Sequence, residues 1–132
     1  MLEINYFAVI VAAIVAFFVG AIWNSVFADI LLEARGAAAL AGGDGMPLGQ
    51  MGAELARVTV MALVLAMVLK LAGVTDLFGA LRFAFLAWLG LQAALLAGAV
   101  IWEAMPPKLY AVHVGDALVK TMLTAAIIAF WR

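Results

Sequence analysis

Long uncharged intervals, each closed off by ionisable residues, set the pattern of this chain. Glu3 and Asp29 bracket 25 uncharged residues. A bilayer span needs about 20, so a first helix is predicted from Ile4 to Ala28. A second is predicted from Gly52 to Ala72. Within it only twelve residues separate Arg57 from Lys70, about 18 Å of rise against a hydrocarbon core of about 30 Å, so both side chains are expected to snorkel outward. Glu54 lies three residues before Arg57, the spacing of a local ion pair. A third helix is predicted from Leu77 to Trp102, with twenty uncharged residues between Arg82 and Glu103. A fourth is predicted from Lys108 to Trp131.

The connections carry their own signals. Asp29 to Ala41 alternates Leu and Ala around Glu33 and Arg35, the pattern of a short helix lying in the interface. Gly42 to Gly49 holds four glycines and Pro47, a flexible loop. Gly73-Val74-Thr75-Asp76 reads as a tight turn, with Thr75 or Asp76 capping the next helix. In Glu103–Pro107, Pro107 sits where a helix can begin. The expected fold is all-α: a transmembrane four-helix bundle with a Gly-rich loop between helices one and two, forming a single integral membrane domain over residues 1–132. Four spans place both termini on one side. Lys and Arg near the span ends tie at three per side, and the termini are placed in the cytoplasm.

Polar residues inside the spans are the exceptions to the pattern, and they cluster. In helix four His113, Asp116, Lys120 and Thr124 fall on one arc of roughly 80° at about 100° per residue. Lys120 lies near the midplane and Asp116 one turn away, with the acid N-terminal, the favourable order for a pair. Gln92 comes to a similar depth on helix three, where an interhelical hydrogen bond is expected. Ala94 and Gly98 form a small-xxx-small pair suited to close helix approach. Trp23 fits the aromatic belt at a membrane face. Trp23 and Asn24, with Glu103, lie on the same side as His113. The candidate polar site is therefore His113, Asp116, Lys120, Thr124, Gln92, Glu103, Asn24 and Trp23.

Composition narrows the chemistry. The chain is 70% hydrophobic and 11% charged, against about 45–50% and about 25% in soluble domains. A formal net charge of −1 supplies no basic surface for nucleic acid. Without cysteine and with one histidine, thiolate chemistry and multi-histidine metal sites are excluded, and no phosphate or dinucleotide fingerprint is present. The small residues Val19-Gly20-Ala21 could mark signal cleavage, but the apolar run continues through Phe27 and no Lys or Arg precedes it. The first helix is read as retained.

Several segments carry a family resemblance: Glu3-Ile4-Asn5-Tyr6, Gly20-Ala21-Ile22-Trp23, Met105-Pro106-Pro107-Lys108-Leu109-Tyr110, His113-Val114-Gly115-Asp116, Leu118-Val119-Lys120 and Trp131-Arg132. Together they resemble the bacterial four-helix membrane family known as domain of unknown function 1761. The resemblance spans the chain and implies four spans in a bacterial inner membrane. Where that family often has Tyr-Ser-Pro after the tryptophan, this chain has Asn24-Ser25-Val26, so no proline kink is expected there.

Four uses of the polar stripe stay open at this stage. It could hold the helices in register, relay protons, line a pocket for a lipid, quinone or polyene, or present Lys120 for Schiff-base chemistry. With no catalytic motif and no evident cofactor, the expected role is an accessory or assembly subunit of a larger membrane complex, or a homo-oligomer. The alternative is a small-molecule or proton-linked carrier.

Overall fold

The computed structural model describes residues 4–30 and 48–131. Four helices account for nearly all of these: α1 (Tyr6–Val26), α2 (Leu48–Leu71), α3 (Leu77–Trp102) and α4 (Pro107–Phe130). Each contains a stretch long and apolar enough to cross a membrane. Large apolar side chains face outward on all four, among them Phe18, Val60, Ile101 and Phe130. A surface apolar on every side suits hydrocarbon as solvent.

Local chemistry sets the helix ends. Asn5 caps α1, its side-chain oxygen accepting the Ala8 N–H at 3.2 Å. At the end of α2, Gly73 takes a left-handed φ of 73°. Its N–H bonds the Lys70 carbonyl and the Val74 N–H bonds that of Leu69. This double closure requires the φ that glycine adopts without cost. Asp76, not Thr75, then caps α3 by accepting the Gly79 N–H. Pro107 opens α4 at the position where its missing N–H costs nothing.

Helix two starts at Leu48, about one turn before the expected Gly52. Near a bilayer the backbone has to satisfy its own polar groups, and this outweighs the propensity cost of about 1 kcal/mol at each of Gly49 and Gly52. The expected Gly-rich loop lies outside the described residues except for Gly49 and Leu48, which are helical. The expected interfacial helix also lies outside them beyond its first two residues, and residues 28–30 are helical.

Helix α3 is interrupted by a π-helical turn over Trp88–Ala93. The extra residue in that turn offsets the face presented by everything beyond it. Ala94 and Gly98 accordingly do not form the expected contact. Ala94 is exposed, and a Cβ added at Gly98 would meet nothing within 4 Å. Close approach occurs before the π turn, at the fully buried Ala80 and Ala84, which pack with Leu65, Leu69, Ala125 and Ala129. A second small-residue seam joins α1 to α2 through Ala12, Ala13 and Ala16 against Val58, Ala62 and Ala66.

The helices do not close symmetrically. α1 packs along both α2 and α4, and α4 touches all three others, whereas α3 leans mainly on α4. α2 and α3 are joined by the Gly73 turn and share the Leu65, Leu69, Ala80 and Ala84 seam next to it, but their backbones make little close approach. A cleft therefore opens between them in the half of the bundle away from that turn. The two chain ends meet at the turn's end of the bundle. There Asn5 donates to the Trp131 carbonyl at 3.1 Å, and Phe7 packs edge-on against the Trp131 ring.

Candidate functional site: a charged cleft between α2 and α3

The sequence places one lysine deep in α4, and three helices are shaped around it. Lys120 is only 6% exposed. Its Nζ lies 3.0 Å from Asp116 Oδ2, one turn earlier on α4, and 3.0 Å from Glu54 Oε1 on α2. The Asp116–Lys120 pair anticipated from the i, i+4 spacing is thus present, with a second acid added. Glu54 is also gripped by Arg57, which donates from Nε to Oε2 and from Nη2 to Oε1, each at 2.9 Å. Two cations and two carboxylates form a chain of alternating sign. Such a chain lets charge persist in a low-dielectric interior where a lone ion would not.

Helix α1 contributes by omission. A Cβ built at Gly20 would lie 2.6 Å from Lys120 Cε and 2.7 Å from its Nζ. Both separations are closer than real Cβ atoms come, so the ammonium rests over bare backbone that any side chain would displace.

Two indoles clamp α4 from opposite sides. Trp23 of α1 donates from Nε1 to the Val112 carbonyl at 2.9 Å, its ring lying where a Cβ at Gly115 would fall. Trp88 of α3 donates to the Val114 carbonyl at 2.8 Å. The Trp23 indole N–H is thus spent on the protein's own backbone. Tyr110 of α4 donates at 2.6 Å to the Ala93 carbonyl, at the last residue of the π turn.

Beside the ion network is a cavity of about 590 Å3, lined by residues of α2, α3 and α4. The volume falls within the range of about 300–1,000 Å3 usual for small-molecule sites. Its walls differ in character. Helix α4 supplies His113, Asp116, Lys120 and Thr121, and α2 supplies Arg57 beside Val58 and Met61. Facing them, α3 offers Leu91, Leu95 and Leu96, with Gln92 as its one polar group. Gln92 donates from Nε2 to Thr121 Oγ1 at 3.0 Å, the interhelical bond expected of it. Arg57 borders this cleft with its side chain 70% exposed. It is exposed, yet stays tied to Glu54.

The structure brings His113, Asp116, Lys120 and Gln92 to one cavity. Thr124 is wholly buried outside it, and its hydroxyl oxygen and Asp116 Oδ1 have no hydrogen-bond partner. Glu103 is exposed at the end of α3 and Asn24 is half-buried on α1. Neither lines the cavity: Glu103 lies beyond its reach along α3, and Asn24, like Trp23, is on α1, which contributes nothing to its lining. Glu54 and Arg57 form the local ion pair expected from their spacing, but their place at this site, like that of Gly20, was not anticipated from sequence. A helix two beginning at Gly52 puts Glu54 in its first turn, whereas the observed start at Leu48 puts it in the second. Among the described residues no group of three or more His, Cys, Asp or Glu is placed to hold a metal ion.

No curated protein and no solved structure matches the chain. A family model does, over residues 7–129, described as a protein of unknown function (DUF1761). The match takes in all four helices but for the outermost residues of α1 and α4, and with them every residue of the cleft, so this chain belongs to the DUF1761 family.

Proposed function

We propose that this protein is a membrane carrier that receives an amphipathic small molecule in the cleft between α2 and α3. The observation that carries this reading is the contrast between the two walls of one cavity. Leu91, Leu95 and Leu96 face Arg57, His113, Asp116 and Lys120 across a space of about 590 Å3. A molecule with one apolar and one polar side meets complementary surface on both. A structural ion pair alone needs no adjoining space. The proposed setting is the bacterial cytoplasmic membrane, with both termini on the cytoplasmic side.

The second reading is an accessory subunit of a larger membrane complex, or a homo-oligomer. It is favoured by α3, whose membrane-length window is 11% buried while the other three range from 28% to 33%. Native mass spectrometry of protein extracted in mild detergent tests the two together. A retained small molecule, lost when Leu95→Trp fills the cleft, supports the carrier. A second protein retained at fixed stoichiometry, with an empty cleft, overturns it in favour of the subunit.

A further inference from the structure

We infer that the molecule received by the cleft has an acidic head, a carboxylate or phosphate monoester on an apolar tail, and that it binds together with one proton taken up by Glu54. This rests on the carrier reading and adds the ligand's chemistry to it.

The first argument is the supply of unused hydrogen-bond donors. Arg57 spends Nε and Nη2 on Glu54, and among the described residues its Nη1 has no hydrogen-bond partner. That end of the guanidinium belongs to a side chain lining the cleft and 70% exposed. Lys120 spends two of its three N–H groups, on Glu54 and Asp116. An oxyanion matches these donors, and charge-assisted bonds to Arg are the strong ones. Opposite them the α3 wall presents leucines to a tail.

The second argument is charge balance. Facing the site from α2 are Glu54 and Arg57, and from α4 His113, Asp116 and Lys120. The α3 wall contributes Gln92 and no ionisable group. Behind Lys120, α1 contributes Gly20 and, within its length, no ionisable residue but the distant Tyr6. Among the described residues, Arg57 and Lys120 cancel Glu54 and Asp116. An anion entering this network leaves one negative charge uncompensated in a poorly screened place. One proton from bulk water restores neutrality. Glu54 is the acceptor, because the incoming head competes with it for Arg57 and leaves it only a lysine shared with Asp116. Its side chain is 24% exposed, so the proton has access. A proton bonds to a Glu54 carboxylate oxygen and no other covalent bond changes.

The test uses the purified full chain in mild detergent, titrated with oleate, oleyl phosphate, oleyl alcohol and inorganic phosphate and read by native mass spectrometry. Proton uptake is followed with a pH indicator in weak buffer, using hexadecanesulfonate, an anion that takes no proton itself. Oleate and oleyl phosphate should bind at least about tenfold tighter than oleyl alcohol, and inorganic phosphate should not bind. Arg57→Gln should erase the preference, and Arg57→Lys should restore part of it. Hexadecanesulfonate should bring about one proton per molecule bound. Glu54→Gln should bind it more tightly and take up none, whereas His113→Gln should keep the uptake. Equal binding of oleyl alcohol overturns the acidic head while leaving the carrier reading intact. Binding of no amphiphile removes the carrier reading itself. Inorganic phosphate binding as well as oleyl phosphate overturns the need for a tail. Uptake that survives Glu54→Gln, or that vanishes in His113→Gln, overturns the role given to Glu54.

Discussion

Lys120 illustrates both the reach and the limit of local spacing. Its pairing with Asp116 follows from four residues of helix and a sign, and the geometry agrees. The second partner, Glu54, is 66 residues away in sequence, and no periodicity within one helix could bring it in. The asymmetry has an energetic consequence. Asp116→Asn leaves Lys120 with Glu54, while Lys120→Met leaves Asp116 and Glu54 facing each other with Arg57 alone to offset them. Lys120→Met should therefore destabilise more, toward the about 3–5 kcal/mol seen when one partner of a buried pair is removed. Asp116→Asn should cost less, and the double variant should recover part of the Lys120→Met loss. Thermal melts of the four proteins in one detergent check this. Strict additivity of the two single losses would mean that the residues are uncoupled.

At the level of elements, the four spans were legible because hydropathy and charge placement act over whole helices and tolerate local error. What escaped was the π turn at Trp88–Ala93. It breaks no hydrophobic pattern, yet it determines which small residues meet a neighbour. Ala94 and Gly98 satisfy the spacing for close packing and face away; Ala80 and Ala84 satisfy the same spacing and are fully buried. Ala84→Leu should overpack this seam and cost about 1–3 kcal/mol. Gly98→Ala, whose Cβ meets open space, should stabilise α3 by about 0.5–1 kcal/mol through helix propensity. Melting temperatures moving in opposite directions would support the assignment. A loss at both positions would place a packed neighbour against Gly98 as well.

For the whole molecule, the Asn5–Trp131 bond and the Gly73 turn put three chain features at one end of the bundle. Cysteines introduced at the exposed Thr75 and at Trp131 should react with a membrane-impermeant reagent from one side, and a cysteine at Lys108 from the other. Matching reactivity at all three would remove a span from the fold. The even distribution of Lys and Arg hides which side is which, but the pairing of ends follows from four crossings and was readable in advance. The cleft was not, since it exists only because α3 leans on α4 and leaves the Arg57–Met61 stretch of α2 without a facing partner. The cleft lies between two helices with apolar outer faces. A ligand would thus arrive from among the acyl chains, and the concentration governing occupancy is its mole fraction in the membrane. Adding empty lipid at constant total ligand should empty the site by dilution in two dimensions, even though nothing in the aqueous phase has changed.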